Sequence, residues 1–210
     1  MRSIGTTTIA AAVAMPFLLG FAAPSGCGGG AGSGSQAASQ GAGSMPSDSP
    51  PSTVPVTGAF DAWARLDGFH ETPAISTTGH GTFRAHAAAD GSSLAFELTW
   101  DGLQGGEASA AHLHLGQRGV AGGVVVPLCG AGGKPACPAQ PADLTGTLTS
   151  ADVTALAGQG VAAGDLAAVL RAIRAGAIYA NVHSPTFDKG EIRGQLRAGE
   201  MEGDDDHGGD

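Results

Sequence analysis

The chain has few basic residues for its length. Its 210 residues include 10 Lys and Arg against 19 Asp and Glu, which gives a formal net charge of −9. Six of these acids lie in residues 199–210, a run that contains no Lys or Arg. The rest of the chain is only mildly acidic and lacks the concentrated positive charge that phosphate binding needs. We therefore expect no nucleic-acid partner.

Signatures of common catalytic sites are missing as well. No Gly-rich phosphate loop precedes a predicted helix, and no GxSxG motif occurs. Ser184 directly follows His183, and neighbouring residues of a strand face opposite sides, so the two do not form a nucleophile and base pair. Because no complete catalytic set is visible, we expect a protein that is not an enzyme.

The one long apolar run is too short and too close to the N-terminus to predict a membrane-spanning helix. It follows a single Arg, and we assign residues 1–27 as a signal peptide. Cys27 follows small residues, as the acylated Cys of a lipoprotein does, but Pro24 stands where that motif usually has Leu. Lipidation of Cys27 and ordinary cleavage both stay open. The protein is predicted to be exported, either secreted or anchored in the cell envelope by lipid.

Cysteine is scarce, with three residues in the chain. Cys129 and Cys137 close the short loop CGAGGKPAC. Because an exported protein folds in an oxidising compartment, we predict a disulfide between them. A reduced pair that binds metal is the alternative, although the spacing does not fit the usual zinc patterns.

Composition divides the remaining chain into three parts. Residues 28–57 are rich in Gly, Ser, Ala, Gln and Pro and have almost no large apolar side chains, which predicts a flexible tether. Residues 58–198 carry the periodic patterns of a folded domain. The acidic residues 199–210 are predicted to be a disordered tail.

Within the domain, alternating apolar side chains predict β-strands. One set begins at Phe60, and two further sets flank Asp90-Gly91, a strong hairpin signal. Residues 130–148 are predicted to form a loop. A helix is predicted after Asp165, because apolar side chains recur there with helical spacing, and a short helical turn is predicted after Thr149. The pattern predicts an all-β domain with one or two short helices before the last strands.

Two stretches near the end of this pattern carry the most polar chemistry. In AHLHLG, His112 and His114 lie on the strand face opposite Leu113. In YANVH, His183 shares a face with Asn181. The following GEIRGQL places a third set, Glu191 and Arg193, on one face of another strand. If these strands are neighbours, one polar face holds all of these side chains.

Two interpretations of this polar face stay open. Three imidazoles are ligands that copper or zinc accepts, with Glu191 as a further ligand or an orienting group. Alternatively, His112, His114 and His183 form a structural cluster that bonds loop carbonyls and the neighbouring Asn181 and Glu191. Glu191 and Arg193 are expected to pair with each other or with a group on a neighbouring strand, because an unpaired buried charge is unfavourable. The other histidines, at positions 70, 80 and 86, are predicted to be solvated or singly bonded.

The chain resembles the chordin-type (CHRD) domain, an extracellular β module, from about Gly58 to Arg197. The motifs that carry the resemblance are AHLHLG, GxxGGVVVPL, YANVHSP and GEIRGQL. Ser184 replaces the Thr that this family often has after NVH. The resemblance implies an antiparallel β-sandwich or barrel, immunoglobulin-like or superoxide-dismutase-like. It implies little about activity.

The HxH strand and the later VH are also similar to copper/zinc superoxide dismutase, another exported β-sandwich, where such histidines hold copper. No His occurs between His114 and His183, so the zinc-binding loop of that family is missing. We therefore expect an exported binding or structural module that contacts an extracellular protein or an envelope component. A histidine-ligated copper or zinc protein is the alternative, and dismutase activity is its enzymatic form.

Overall fold

The computed structural model describes residues 57–199, and these residues form one antiparallel sheet with a single α-helix. The strands are β1 Phe60–Asp67, β2 His80–Ala87, β3 Leu94–Asp101, β4 Ala110–Leu115, β5 Gly123–Cys129, β6 Ala142–Leu148, β7 Ile178–His183, β8 Ile192–Gln195 and β9 Arg197–Ala198. Helix α1 spans Leu166–Arg174. The predicted signal peptide, Cys27, almost all of the tether and residues 200–210 lie outside the described residues.

The strands are ordered β5-β4-β7-β8-β1-β2-β3-β6, and β9 pairs with β1. This curled, half-barrel sheet surrounds one hydrophobic core, so the prediction of an all-β fold is confirmed. The topology places β4, β7 and β8 side by side, although some 60 residues separate β4 from β7 in the sequence. The three polar stretches of the sequence therefore lie on neighbouring strands.

The predicted alternation of side chains is confirmed on the first strands. Ala62, Ala64 and Leu66 of β1 are buried, and β2 and β3 contribute Phe83 and Phe96, whose rings stack with centroids 6.0 Å apart. The β2–β3 hairpin turns through residues 88–93. Gly91 takes a φ of 70°, a left-handed conformation that explains the Asp-Gly signal.

The prediction of a loop over residues 130–148 is wrong at its C-terminal end. Ala142–Leu148 form β6, which pairs with β3 from Trp100↔Ala142 to Leu94↔Leu148. Gly146 weakened the strand signal because glycine is unfavourable inside strands. The structure supplies the reason for the glycine: a Cβ there would lie 2.7 Å from the Phe96 ring.

Helix α1 begins and ends as predicted. The carboxylate of Asp165 accepts a hydrogen bond from the Ala168 N–H at 2.8 Å, and Gly176 follows the helix with a φ of 66°. Leu166, Val169, Leu170 and Ile173 form its buried face. Short 3₁₀ turns at Ser150–Asp152 and Ala157–Gln159 precede it. Within residues 57–199, no helix is both long and apolar enough to cross a membrane.

Strand β5 lies at one end of the sheet, and its outer side is partly covered. The Thr154 N–H donates to the Val125 carbonyl at 2.9 Å, and the Thr154 hydroxyl also lies within hydrogen-bond distance of that oxygen and of the Val124 carbonyl. Pro127 has no N–H to offer. The carbonyls of Val124 and Val125 are therefore bonded within the chain and are not available to another strand.

Candidate metal centre

The three histidines of interest lie on two paired strands, β4 and β7. His112 is opposite Asn181, His114 is opposite Tyr179, and His183 is opposite Ala110. Directly paired residues of an antiparallel sheet project from the same face, so all three imidazoles share one face. The intervening Leu113 is fully buried on the core side. Apolar packing on that side thus fixes the direction in which the imidazoles point.

The imidazoles converge. His112 Nδ1 lies 3.2 Å from His183 Nε2, and one ring nitrogen from each of the three residues lies within 4.8 Å of the others. Two nitrogen ligands of a tetrahedral zinc ion are about 3.3 Å apart, and two bound at about 2.1 Å are never more than about 4.2 Å apart. The closest pair already has a ligand spacing, whereas nitrogens at the upper limit of 4.8 Å would have to approach by about 1.5 Å to share a tetrahedral ion.

Backbone carbonyls fix the tautomers of two of the rings. His114 Nδ1 lies 3.0 Å from the Gly122 carbonyl, and His183 Nδ1 lies 3.1 Å from the Asp188 carbonyl. Because a carbonyl only accepts, each Nδ1 carries the proton and each Nε2 holds a lone pair when the ring is neutral. Ligating histidines are commonly held in this way by a bond from the other ring nitrogen.

His114 Nε2 is buried and has no hydrogen-bond partner among the described residues. His114 as a whole is 8% exposed. A buried acceptor without a partner is unfavourable by about 1–3 kcal/mol, and such atoms are rare in folded proteins. A bound electrophile, such as a metal ion, would satisfy this lone pair.

The surroundings keep the imidazoles neutral. Burial lowers the pKa of His112 to about 4, and repulsion from the other two imidazoles adds to this effect. Burial lowers the pKa of His114 to about 4 as well, against the opposing effect of its hydrogen bond to Gly122. Burial also lowers the pKa of His183. All three rings are therefore unprotonated near neutral pH, which is the form that binds metal.

An aromatic and cationic stack supports His114 from the side. Its ring lies parallel to the Tyr179 ring at a centroid distance of 4.7 Å, and the Arg193 guanidinium lies 3.5 Å from the Tyr179 centroid. The Tyr179 hydroxyl accepts a hydrogen bond from the Gly122 N–H at 3.0 Å. Gly122 thus bonds both members of the ring pair.

The family model for the CHRD domain matches residues 63–196, which include every strand that carries this centre. The chain belongs to the CHRD-domain family. CHRD domains are extracellular, and the resemblance found in the sequence motifs is confirmed. A search of curated proteins and of solved structures found no match to the chain.

Asn181 and Arg193 of the CHRD domain are direct cross-strand neighbours, as expected for a shared polar face. The Asn181 amide donates to Glu71 Oε1 at 2.7 Å. Burial raises the pKa of Glu71 to about 7, although bonds from Thr72 and Asn181 and the charge of Arg193 oppose the rise. Glu71 could not be predicted from a pattern, because it lies in a stretch without periodicity between β1 and β2.

Gly190 allows this approach. A Cβ at position 190 would lie 2.5 Å from Glu71 Oε1 and 2.6 Å from both terminal atoms of the Asn181 side chain. Its φ of 131° is also one that L side chains rarely adopt. Glycine is therefore required here by space and by backbone conformation together.

Of the two pairings expected for Glu191 and Arg193, mutual or cross-strand, the mutual one is not formed, and Glu191 lies in a different network. Its carboxylate accepts hydrogen bonds from four donors: the hydroxyls of Thr77 and Ser184 and the N–H groups of Gln104 and Gly105. Burial opposes ionisation of Glu191, but these hydrogen bonds outweigh it and lower its pKa. Glu191 is therefore a fully bonded structural carboxylate that joins two loops to β8.

Arg193 instead makes neutral contacts. Its guanidinium donates to the Thr72 hydroxyl and to the carbonyls of Gln117 and Val120, in addition to its position over Tyr179. Two-residue spacing predicted a shared strand face for Glu191 and Arg193. Loop donors, which lie far away in the sequence, determined where the Glu191 carboxylate bonds.

The structure also shows the predicted cysteine pair and the histidines outside the centre. Cys129 and Cys137 form the predicted disulfide. His70, His80 and His86 are exposed and each bonds one partner through the ring, as expected for residues outside the centre. In residues 57–199, the one group of His, Cys, Asp and Glu side chains close enough to share an ion is that of His112, His114 and His183. Cys27 lies outside the described residues.

Proposed function

We propose that this CHRD domain is an exported binding module that holds a copper or zinc ion through His112, His114 and His183. One observation carries the proposal: the three imidazoles converge, and the buried Nε2 of His114 has no protein partner among the described residues. Imidazole nitrogens suit both copper and zinc. The choice between these ions is left to the experiment.

The protonation of the rings favours this function over a structural polar cluster. A structural cluster is expected to satisfy its own donors and acceptors, because buried unpaired groups are unfavourable. Here carbonyls bond the Nδ1 atoms of His114 and His183. The Nε2 of His183 lies within hydrogen-bond distance of His112 Nδ1, whereas the Nε2 of His114 has no partner among the described residues. This is the arrangement that a ligand set needs before an ion binds.

Export is the second part of the proposal. A CHRD domain is an extracellular type of domain, and the Cys129–Cys137 disulfide is stable in an oxidising compartment. The predicted signal peptide and tether, with or without a lipid on Cys27, would present the domain outside the cell. Its partner there would be an extracellular protein or a component of the envelope.

Dismutase chemistry of the copper/zinc type is not part of the proposal. Proteins of that family also hold a zinc ion through histidines of a bridging loop. The part of the chain that the structure describes holds a single three-histidine group.

Metal analysis of the purified protein tests the proposal. The protein is dialysed against copper or zinc, washed free of weakly bound ions and analysed for metal per chain. We expect stoichiometric metal in the natural protein and its loss in the double variant His112→Ala, His114→Ala. The control is His80→Ala, His86→Ala, which removes the same number of imidazoles from exposed positions.

Near-ultraviolet circular dichroism of both double variants establishes that they are folded. Metal bound equally by the two double variants would contradict the proposal, as would a natural protein that binds no metal and whose melting temperature is unchanged by either ion. Binding of an ion to the folded state alone raises the melting temperature by mass action, which gives a second readout.

A further inference from the structure

Strand β6 is the terminal strand of the sheet at the end opposite β5, and its outer edge is open. It spans Ala142–Leu148 and pairs with β3 alone. In the part of the chain that the structure describes, no other segment makes a backbone hydrogen bond to it. At the β5 end, in contrast, Thr154 bonds the strand from outside. The β6 edge is therefore the one of these two to which a further strand can add.

The register shows which backbone groups of β6 point outward. In the β2–β3 hairpin the Ala88 N–H donates to the Ser93 carbonyl at 3.0 Å. Because the direction of the backbone groups alternates along a strand, the odd-numbered residues of β3 bond β2 and the even-numbered ones bond β6. Leu98 lies opposite Leu144, so the even-numbered residues of β6 bond β3. The residues whose N–H and C=O groups point outward are Asp143, Thr145 and Thr147.

The β6 edge has none of the features that commonly prevent strands from pairing. Natural edge strands often carry Lys, Pro or a β-bulge. The sequence of β6, ADLTGTL, contains neither Lys nor Pro, and its register with β3 is regular from end to end. Asp143 is its single charged residue, and the three residues with outward backbone groups are exposed. These groups are available to a second strand.

Strand β6 is complementary to itself in an antiparallel arrangement centred on Thr145. In that register Thr145 faces Thr145 of a second copy, and Asp143 faces Thr147 of that copy at each end. Residues that face each other in this way have Cβ atoms about 4.5–5.5 Å apart, which brings a hydroxyl donor to each carboxylate. Each outward N–H also meets an outward carbonyl, so all outward backbone groups of both strands are bonded.

The core side of β6 fits the same register. Leu144 faces Gly146 of the second copy, and Ala142 faces Leu148, so a large side chain meets a small one at each position. Such pairs fill space without overlap. Leu144 is only partly buried within one copy, and the second copy would cover its accessible part. A register centred on Asp143 would instead place two carboxylates opposite each other, which is unfavourable.

The charge of the protein does not oppose this pairing. Residues 57–199 contain nine Lys and Arg and twelve Asp and Glu, so most of the excess acid lies outside the domain. In the register centred on Thr145, the two Asp143 side chains are about 14 Å apart, as are the two Glu97 side chains on the adjacent β3 strands. Both separations exceed the screening length of about 8 Å at physiological ionic strength.

We propose that two copies of this protein pair through β6, as an antiparallel dimer centred on Thr145 that joins their sheets. The same surface is used by both copies, so the assembly closes at two. Because a single strand edge forms the interface, we expect it to bury less than about 1,200 Å², as weak complexes do. The domain is therefore monomeric at micromolar concentration. This inference does not depend on the proposed metal.

Sedimentation equilibrium of the full chain tests the dimer. We expect monomer at about 1 µM, a growing fraction of dimer towards about 1 mM and no larger species. Amide exchange measured by NMR locates the interface. The N–H groups of Asp143, Thr145 and Thr147 should exchange more slowly as the concentration rises, whereas those of Leu144 and Gly146, which already bond β3, should not change.

Two substitutions at one position test the register. Thr147→Asp places a carboxylate opposite Asp143 of the second copy at both ends and should weaken the dimer by about tenfold. Thr147→Lys places a cation there and should tighten it, although Lys on an open edge ordinarily weakens strand pairing. Opposite effects of the two variants separate this register from a general effect on the fold.

A third variant removes the central donor of the interface. Thr145→Pro eliminates an N–H that points outward and leaves the bonds to β3 in place, because proline is tolerated on edge strands in that orientation. We expect no dimer up to about 1 mM. Near-ultraviolet circular dichroism establishes that all three variants are folded.

Four outcomes overturn the proposal. The first is a monomer at every concentration, which would be expected if another segment of the same chain covered β6. The others are oligomers larger than a dimer, amide exchange at Asp143, Thr145 and Thr147 that does not depend on concentration, and effects of the same sign in Thr147→Asp and Thr147→Lys. A dimer that persists in folded Thr145→Pro would place the interface elsewhere and would also contradict it.

Discussion

The two halves of the sheet differ in how far their polar side chains are buried. On β3, buried and more accessible residues alternate along the strand, whereas all six residues of β7 are buried. The consequence is visible in the histidines: His86 of β2 is exposed and bonds Asp61, whereas His114 of β4 is covered and its pKa falls to about 4. A loop or a turn laid over one half of a sheet thus converts ordinary polar side chains into a preorganised site.

Removal of the Glu191 carboxylate, in the covered half of the sheet, is expected to have the largest effect on stability. Glu191→Ala leaves two loop N–H groups and two hydroxyls without their acceptor. We expect a loss of about 3–5 kcal/mol in the free energy of unfolding, since an ionised group is removed from a buried, bonded position. Urea denaturation measures it. The control Asp143→Ala, on an exposed position of β6, should change this free energy by no more than about 0.5 kcal/mol.

Removal of the disulfide should destabilise the same half of the sheet by a smaller amount. Cys129 and Cys137 are 8 residues apart, and the entropy of closing so short a loop predicts a stabilisation of about 2.5 kcal/mol. The double variant Cys129→Ser, Cys137→Ser should lose that amount in urea denaturation. Hydrogen exchange should accelerate first in β5 and β4 and not in the β2–β3 hairpin. Equal acceleration everywhere would indicate that the disulfide stabilises the whole domain and not one half of it.

The pH dependence of stability follows from the buried histidines. Their pKa values are lowered in the folded protein, so between about pH 6.5 and about pH 4 the unfolded chain binds more protons. We expect the metal-free domain to lose stability as the pH falls through this window, by at most about 1.4 kcal/mol per pH unit for each group. His114→Gln should flatten the dependence.

Glu71 contributes with the opposite sign. Its pKa is raised to about 7 in the folded protein, so it stabilises the fold at low pH and this contribution is lost as the pH rises from about 4.5 to 7. Glu71→Gln should therefore steepen the loss of stability on acidification. A shallower slope in this variant would mean that Glu71 is ionised in the folded domain at neutral pH.

The smallest effect is expected at His86. Its ring bonds Asp61 at 2.8 Å, but both side chains are largely exposed, and such pairs contribute little. His86→Ala should change the free energy of unfolding by no more than about 0.5 kcal/mol. Thermal unfolding at fixed pH measures this. A loss comparable to that of Glu191→Ala would remove the distinction between the two halves.

The shared face of the histidines could be predicted because it rests on a local rule. Leu113 must enter the core, so its neighbours His112 and His114 must point away from it. Val182 acts in the same way for His183. That β4 and β7 are neighbours was an assumption of this prediction, and the strand order confirms it.

Contacts made by irregular segments could not be predicted in this way. Glu71 and the N–H groups of Gln104 and Gly105 lie in stretches without periodicity, so no pattern places them against β7 or β8. Strand β6 was missed for a related reason. Gly146 is needed to make room for the Phe96 ring, but glycine weakens the sequence pattern of a strand. The regular strands could thus be predicted from the sequence, whereas the contacts of the loops that complete the centre could not.

The covered side of β5 has a consequence for how copies of this protein behave at high concentration. A terminal strand with free backbone groups is a template on which another molecule adds its own strand, and chains of such additions lead to aggregates. Thr154 bonds two of these groups, the carbonyls of Val124 and Val125. This cover would hinder the addition of a strand from another copy at the β5 end of the sheet.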